Sequence, residues 1–151
     1  MERIIYRSAN KIVRLIEHDD TLTIYDVFYP LPGFGNRVER RVELDKVRKT
    51  ISVISCSFDW NGTGCRTVHY VKLSENEFKE ILLMMKNVKT INDLDKLKEV
   101  VTNIEKKRDK EVERLIDEII RSIINTVNVN EQIKHDLTNY LKELAHEYLY
   151  S

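Results

Sequence analysis

The chain has 151 residues, 42% of them hydrophobic and 33% charged, and its acidic and basic residues balance to a formal net charge of zero. That length buries a real core, while only 4 Gly and 2 Pro speak against a disordered tail or a flexible linker. Zero net charge argues against a uniformly basic nucleic-acid binder, the absence of a bilayer-length uncharged apolar run argues against a membrane span, and Met1-Glu2-Arg3 does not open a secretory signal.

The expectation is therefore a cytoplasmic protein. Its Glu, Lys, Arg and Ile content, with little Gln, matches thermophile usage.

In chain order, residues 11–17 read as a strand, His18-Asp19-Asp20 as a turn, and residues 21–29 as a second strand rich in β-branched and aromatic residues. Pro30-Leu31-Pro32-Gly33-Phe34-Gly35-Asn36 reads as a long loop. Residues 37–44 alternate as a strand wetted on one face. Residues 50–60 and 65–73 give a hairpin, joined by Asn61-Gly62-Thr63-Gly64. At Ser74 the period changes: Ser74 and Glu77 form a capping box, and Phe78, Ile81, Leu82 and Met85 line one helix face. A second helix starts at Thr90–Asp93, with Leu94, Leu97, Val101 and Ile104 as its stripe. Residues 105–111 are polar all round, so a helix there bridges solvent. The expected domains are therefore 1–107 and 108–151.

Beyond that bridge, an Ile-rich face from Val112 to Val127 and a last helix carrying Ile133 to Tyr148 predict a helical hairpin. A hairpin alone leaves much of its apolar face uncovered, and pairing two into a four-helix bundle buries it. The expected fold is α+β: an antiparallel β-sheet of four to five strands covered by a helix, then a C-terminal helical hairpin that dimerises. The residues expected to carry self-association, giving a homodimer or higher oligomer, are Leu115, Ile116, Ile119, Ile123, Leu137, Leu141 and Leu144.

Charge and aromaticity are unevenly distributed. Residues 1–73 hold 12 Lys+Arg against 9 Asp+Glu, and 8 of the 12 aromatic residues precede residue 74. A basic, aromatic half joined to an acidic helical half reads as a binding module plus a scaffold. Catalytic patterns are missing. Gly33-Phe34-Gly35 lacks the rest of a dinucleotide fingerprint, and Gly62-Thr63-Gly64 is not followed by Lys-Ser or Lys-Thr. His18, His69, His135 and His146 are scattered, with no nucleophile partner. Cys56 and Cys65 read preferentially as two small unbonded strand residues, with a single bridge as the alternative; neither joins a metal spacing. The expectation is a protein without enzymatic activity, cofactor or metal.

What remains is the second face of the sheet. On 50–60, Ile54, Cys56, Phe58 and Trp60 share a side; on 65–73, Arg66, Val68, Tyr70 and Lys72 share a side. Aromatic rings beside cations suit single-stranded nucleic acid, because unstacked bases lie on rings and cations track phosphates. The candidate binding residues are Tyr25, Tyr29, Phe34, Arg37, Arg41, Phe58, Trp60, Arg66, Tyr70 and Lys72. A protein-interaction or transcription-regulatory module using the same exposed rings is the alternative.

The string from Arg66 to Leu82 (Arg-Thr-Val-His-Tyr-Val-Lys-Leu-Ser-Glu-Asn-Glu-Phe-Lys-Glu-Ile-Leu) resembles the last strand and first helix of the positive-cofactor-four family of transcriptional coactivators. The longer layout, a curved sheet, a covering helix and a C-terminal helical arm, resembles the archaeal ThermoDBP and ThermoDBP-related single-stranded DNA-binding proteins. The resemblance implies binding of single-stranded DNA, with RNA left open, without strong sequence preference, and protection of exposed strands in replication, repair or transcription. It carries over Arg66, Tyr70 and Lys72. The extra hairpin and the Pro/Gly loop depart from the coactivator pattern.

Overall fold

A computed structural model describes residues 1–31 and 35–150 (the side chains of the last two excepted). The chain divides into two compact units, Met1–Glu105 and Lys106–Ser151.

The first unit is a six-stranded antiparallel meander: β1 (Glu2–Arg7), β2 (Lys11–Glu17), β3 (Thr21–Phe28), β4 (Arg37–Asp45), β5 (Thr50–Asp59) and β6 (Gly62–Lys72), each hydrogen-bonded to its neighbour in sequence order. Four to five strands were expected, and the additional one is β1. Its register on β2 slips between Ile4 and Tyr6, so the strict alternation by which a half-buried strand is recognised is interrupted. The β5–β6 turn is tighter than expected. Asp59 pairs with Gly62, leaving Trp60-Asn61 as a two-residue turn, and the Asp59 carboxylate accepts from the Asn61 N–H at 2.8 Å. Gly62 has φ +137°, a conformation L side chains rarely adopt, which is why glycine closes this hairpin.

Alternation along each strand separates two faces. One is apolar: Leu15, Ile24, Val42 and Val53 stand in one cross-strand row, and Leu22, Leu44, Ile51 and Val71 in the next. Helices α1 (Glu75–Lys86) and the first part of α2 (Ile91–Asn125) cover these rows, burying Ile81 and Met85 from α1, Val88 between them, and Leu94, Leu97 and Val101 from α2. Phe78 and Leu82 pack against the same core but stay partly exposed. Each fully buried aliphatic side chain contributes roughly 1.5–3 kcal/mol, so these rows are the main source of stability. Local chemistry starts the helices. Ser74 accepts from the Glu77 N–H at 3.3 Å while the Glu77 carboxylate accepts from the Ser74 N–H at 2.8 Å. Thr90 and Asp93 repeat the device, and the backbone N–H of Lys89 on its carboxylate holds Asp93 below the ordinary carboxylate value.

In the second unit the rest of α2 is followed by α3 (Glu131–Tyr150), whose start is capped by Asn130 accepting from the Ile133 N–H at 2.9 Å. Lys142 pairs with Asp117 at 3.6 Å, so α3 returns along α2 as a helical hairpin. Ile120 and Ile124 are buried, Ile116, Leu137 and Leu141 are half-buried, and Leu115, Ile119, Ile123 and Leu144 are exposed. Among the described residues no helix is long and apolar enough to cross a membrane.

Candidate nucleic-acid interface

The sheet face opposite the one that α1 and the first part of α2 cover is built from the alternate positions of β2 to β6. Register places Arg14, Tyr25, Arg41 and Ile54 in one row across β2–β5. Neighbouring strands lie roughly 4.8 Å apart, which brings the two guanidinium carbons to 5.2 Å and 5.7 Å from the Tyr25 centroid. Both are within the roughly 6 Å over which a cation is drawn to a ring. One end of the face repeats the pairing: Arg37 stands opposite Phe58 with its guanidinium 3.9 Å from the ring.

Glu39 sits between these two pairs and is 8% exposed. Its carboxylate takes the Arg41 Nε–H at 2.8 Å and lies 3.9 Å from Arg37. Arg41 also reaches Cys56 Sγ at 3.8 Å. The carboxylate offsets part of the positive charge of both arginines and holds the Arg41 guanidinium by a hydrogen bond.

Cys56 and Cys65 are disulfide-bonded, against the preferred expectation of two unbonded cysteines. The antiparallel register sets them directly opposite, with a Cα–Cα distance of 4.1 Å; spacing in sequence does not reveal this, because it depends on where the turn falls.

Of the residues singled out in the sequence, Tyr25, Arg37, Arg41, Phe58, Tyr70 and Lys72 share this face. Tyr70 is 58% exposed, and its backbone N–H donates to Glu105 at 2.9 Å. Tyr29 follows β3 and is half-buried. Trp60 stands in the β5–β6 turn, 86% exposed. Phe34 lies outside the described residues.

Arg66 does not join them. Pairing jumps from Val53–His69 to Ile54–Thr67, leaving Val68 as an extra residue. This bulge reverses the alternation and sends Arg66 to the helix-covered side, opposite Ser55. The four residues Arg66, Val68, Tyr70 and Lys72 therefore do not share a side, as the uninterrupted alternation had suggested. Among the described residues the rings do not gather into an aromatic cluster either: guanidiniums lie against the Tyr25 and Phe58 rings.

Sequence reasoning missed Arg14. Its signal was present, since Ile12, Arg14 and Ile16 alternate with the buried Val13 and Leu15, but only the register shows that Arg14 stands beside Tyr25. Among the described residues no group of three or more His, Cys, Asp or Glu side chains is placed to hold a metal ion. In comparisons with known proteins, no family model, curated protein or solved structure matches the chain.

Proposed function

We propose that this chain is a non-enzymatic protein that binds and protects single-stranded DNA with little sequence preference, using the face of its sheet opposite α1. The observation that carries the reading is the registered Arg14–Tyr25–Arg41 row with its Arg37–Phe58 neighbour. Guanidinium planes and aromatic rings are both surfaces on which unstacked bases lie, and here they alternate across adjacent strands. Trp60 and Tyr70, exposed beyond that row, supply further rings.

The sequence resemblance to the archaeal ThermoDBP-related proteins supports the same reading, together with a cytoplasmic role in replication and repair. The exposed Leu115, Ile119, Ile123 and Leu144 support self-association through the helical hairpin. A second copy covers them in a four-helix arrangement, and linking two sheets raises affinity for long strands by avidity.

The test is fluorescence anisotropy with single-stranded DNA, duplex DNA and RNA of equal length over a salt series. Single strands are expected to bind more tightly than duplex, because a duplex keeps its bases stacked. The salt dependence is expected to be shallow, because Glu39 already pairs with two of the arginines and few phosphates are neutralised. Equal affinity for duplex, or no binding at low salt, overturns the proposal. In that case a protein-interaction or regulatory role for the same face is the reading to pursue.

A further inference from the structure

The helix-covered face changes character next to the core. Beyond the apolar row Leu15–Ile24–Val42–Val53, the following row in register is Val13, Asp26, Arg40, Ser55 and Arg66. Helix α2 crosses this edge with Lys98 and Thr102, leaving a cavity of about 280 Å³ that is lined by Arg40, Ser55, Arg66, His69, Lys98 and Thr102 among others. Small-molecule clefts run from roughly 300 Å³ upward, so the space suits a compact ligand.

The charges in this cavity do not balance internally. Asp26 is already shared by Lys11 at 3.5 Å and Lys98 at 3.8 Å. Glu105 is engaged by the His69 ring at 2.9 Å and by the Tyr70 N–H at 2.9 Å. Among the described residues no carboxylate pairs with Arg40 or Arg66. These two guanidiniums flank Ser55 from the strands on either side, and Lys98 faces them from the helix. Burial, before any other cause, holds the Lys98 ammonium below its ordinary value; Asp26 opposes this and Arg40 adds to it. Three cations held around a part-dry space repel one another unless an anion sits between them.

Guanidinium forks match the oxygens of a carboxylate or a phosphate. Three cations and the Ser55 hydroxyl suit a doubly charged group better than a singly charged one. We propose that this cavity is a phosphate site, taking inorganic phosphate or the terminal phosphate of a phosphomonoester, with Arg40 and Arg66 as its clamp and Lys98 as the third cation. It lies on the opposite side of the sheet from Tyr25 and Arg41, and it does not rest on the single-strand reading.

The experiment is calorimetric titration of the full chain in a chloride buffer with three probes: inorganic phosphate, adenosine 5′-monophosphate and adenosine. Saturable binding of one phosphate per chain is expected, with no uptake of adenosine. Tighter binding of the monophosphate identifies a phosphomonoester as the source, and tighter binding of inorganic phosphate identifies the free ion. R40Q and R66Q are each expected to weaken binding at least tenfold, whereas Tyr25→Ala leaves it unchanged. The thermal midpoint is read in parallel, to separate lost binding from lost folding: phosphate is expected to raise it in the parent and not in the R40Q/R66Q double variant. Absence of saturable binding overturns the site, as does a folded double variant that binds phosphate like the parent.

Discussion

Trp60→Ala separates binding from folding more cleanly than any other change in the proposed interface. The indole is 86% exposed in a two-residue turn whose geometry is set by Asp59 and Gly62. Removing it takes almost no area from the core, so the unfolding free energy should stay within about 0.5 kcal/mol of the parent, as for surface positions generally. If the ring stacks a base, the substitution removes one base–aromatic contact, roughly 1–3 kcal/mol, and single-strand affinity falls roughly 5- to 150-fold. The internal control is Ile51→Ala, which empties a fully buried site and should cost about 2–5 kcal/mol of stability while changing affinity only through unfolding. Urea denaturation gives the first quantity and anisotropy at fixed salt the second. A W60A protein that binds like the parent removes the hairpin tip from the interface; one that melts far below the parent shows the indole to be packed in the folded chain instead of exposed.

Ile119→Glu, at a position 59% exposed on α2, should reduce the mass measured by sedimentation to that of a single chain, with the helical content unchanged; an unchanged mass places any self-association elsewhere. Replacing Cys56 and Cys65 together by Ala should lower stability by about 2–3 kcal/mol, the loop-closure value for so short a ring, and should abolish the effect of reductant on the denaturation midpoint. The Glu17 carboxylate is held below its ordinary 4.5, first by the hydrogen bond from Lys46 and then by the charges of Lys46 and Lys86. A depressed carboxylate stabilises above its unfolded value and loses that contribution as pH falls through the folded one. Stability measured by urea midpoint should therefore fall with acid below about 4.5, and less steeply in E17Q.

Most of the layout was legible in the residues because it depends on local periodicity. The change from period 2 to period 3.6 at Ser74 marks where the sheet ends, and the capping pair Ser74–Glu77 forms as the sequence requires. The polar stretch 105–111 lies within one unbroken α2, as a helix surrounded by solvent allows. Five of the six strands were recognisable from alternating apolar residues, and the exception, β1, is the one whose alternation is interrupted. The composition of the candidate site was also legible: Tyr25, Arg37, Arg41 and Phe58 stand on alternate residues of their own strands.

Which of these side chains meet was decided by register, and register is a property of pairs of strands. Arg14 faces Tyr25, Glu39 sits between Arg37 and Arg41, and Cys56 meets Cys65 only because the turns place those residues opposite one another. The single inserted residue Val68 moves Arg66 through the sheet from one face to the other. A side-chain period of two makes a one-residue shift equivalent to a change of side, and no property of Arg66 or its immediate neighbours reports it.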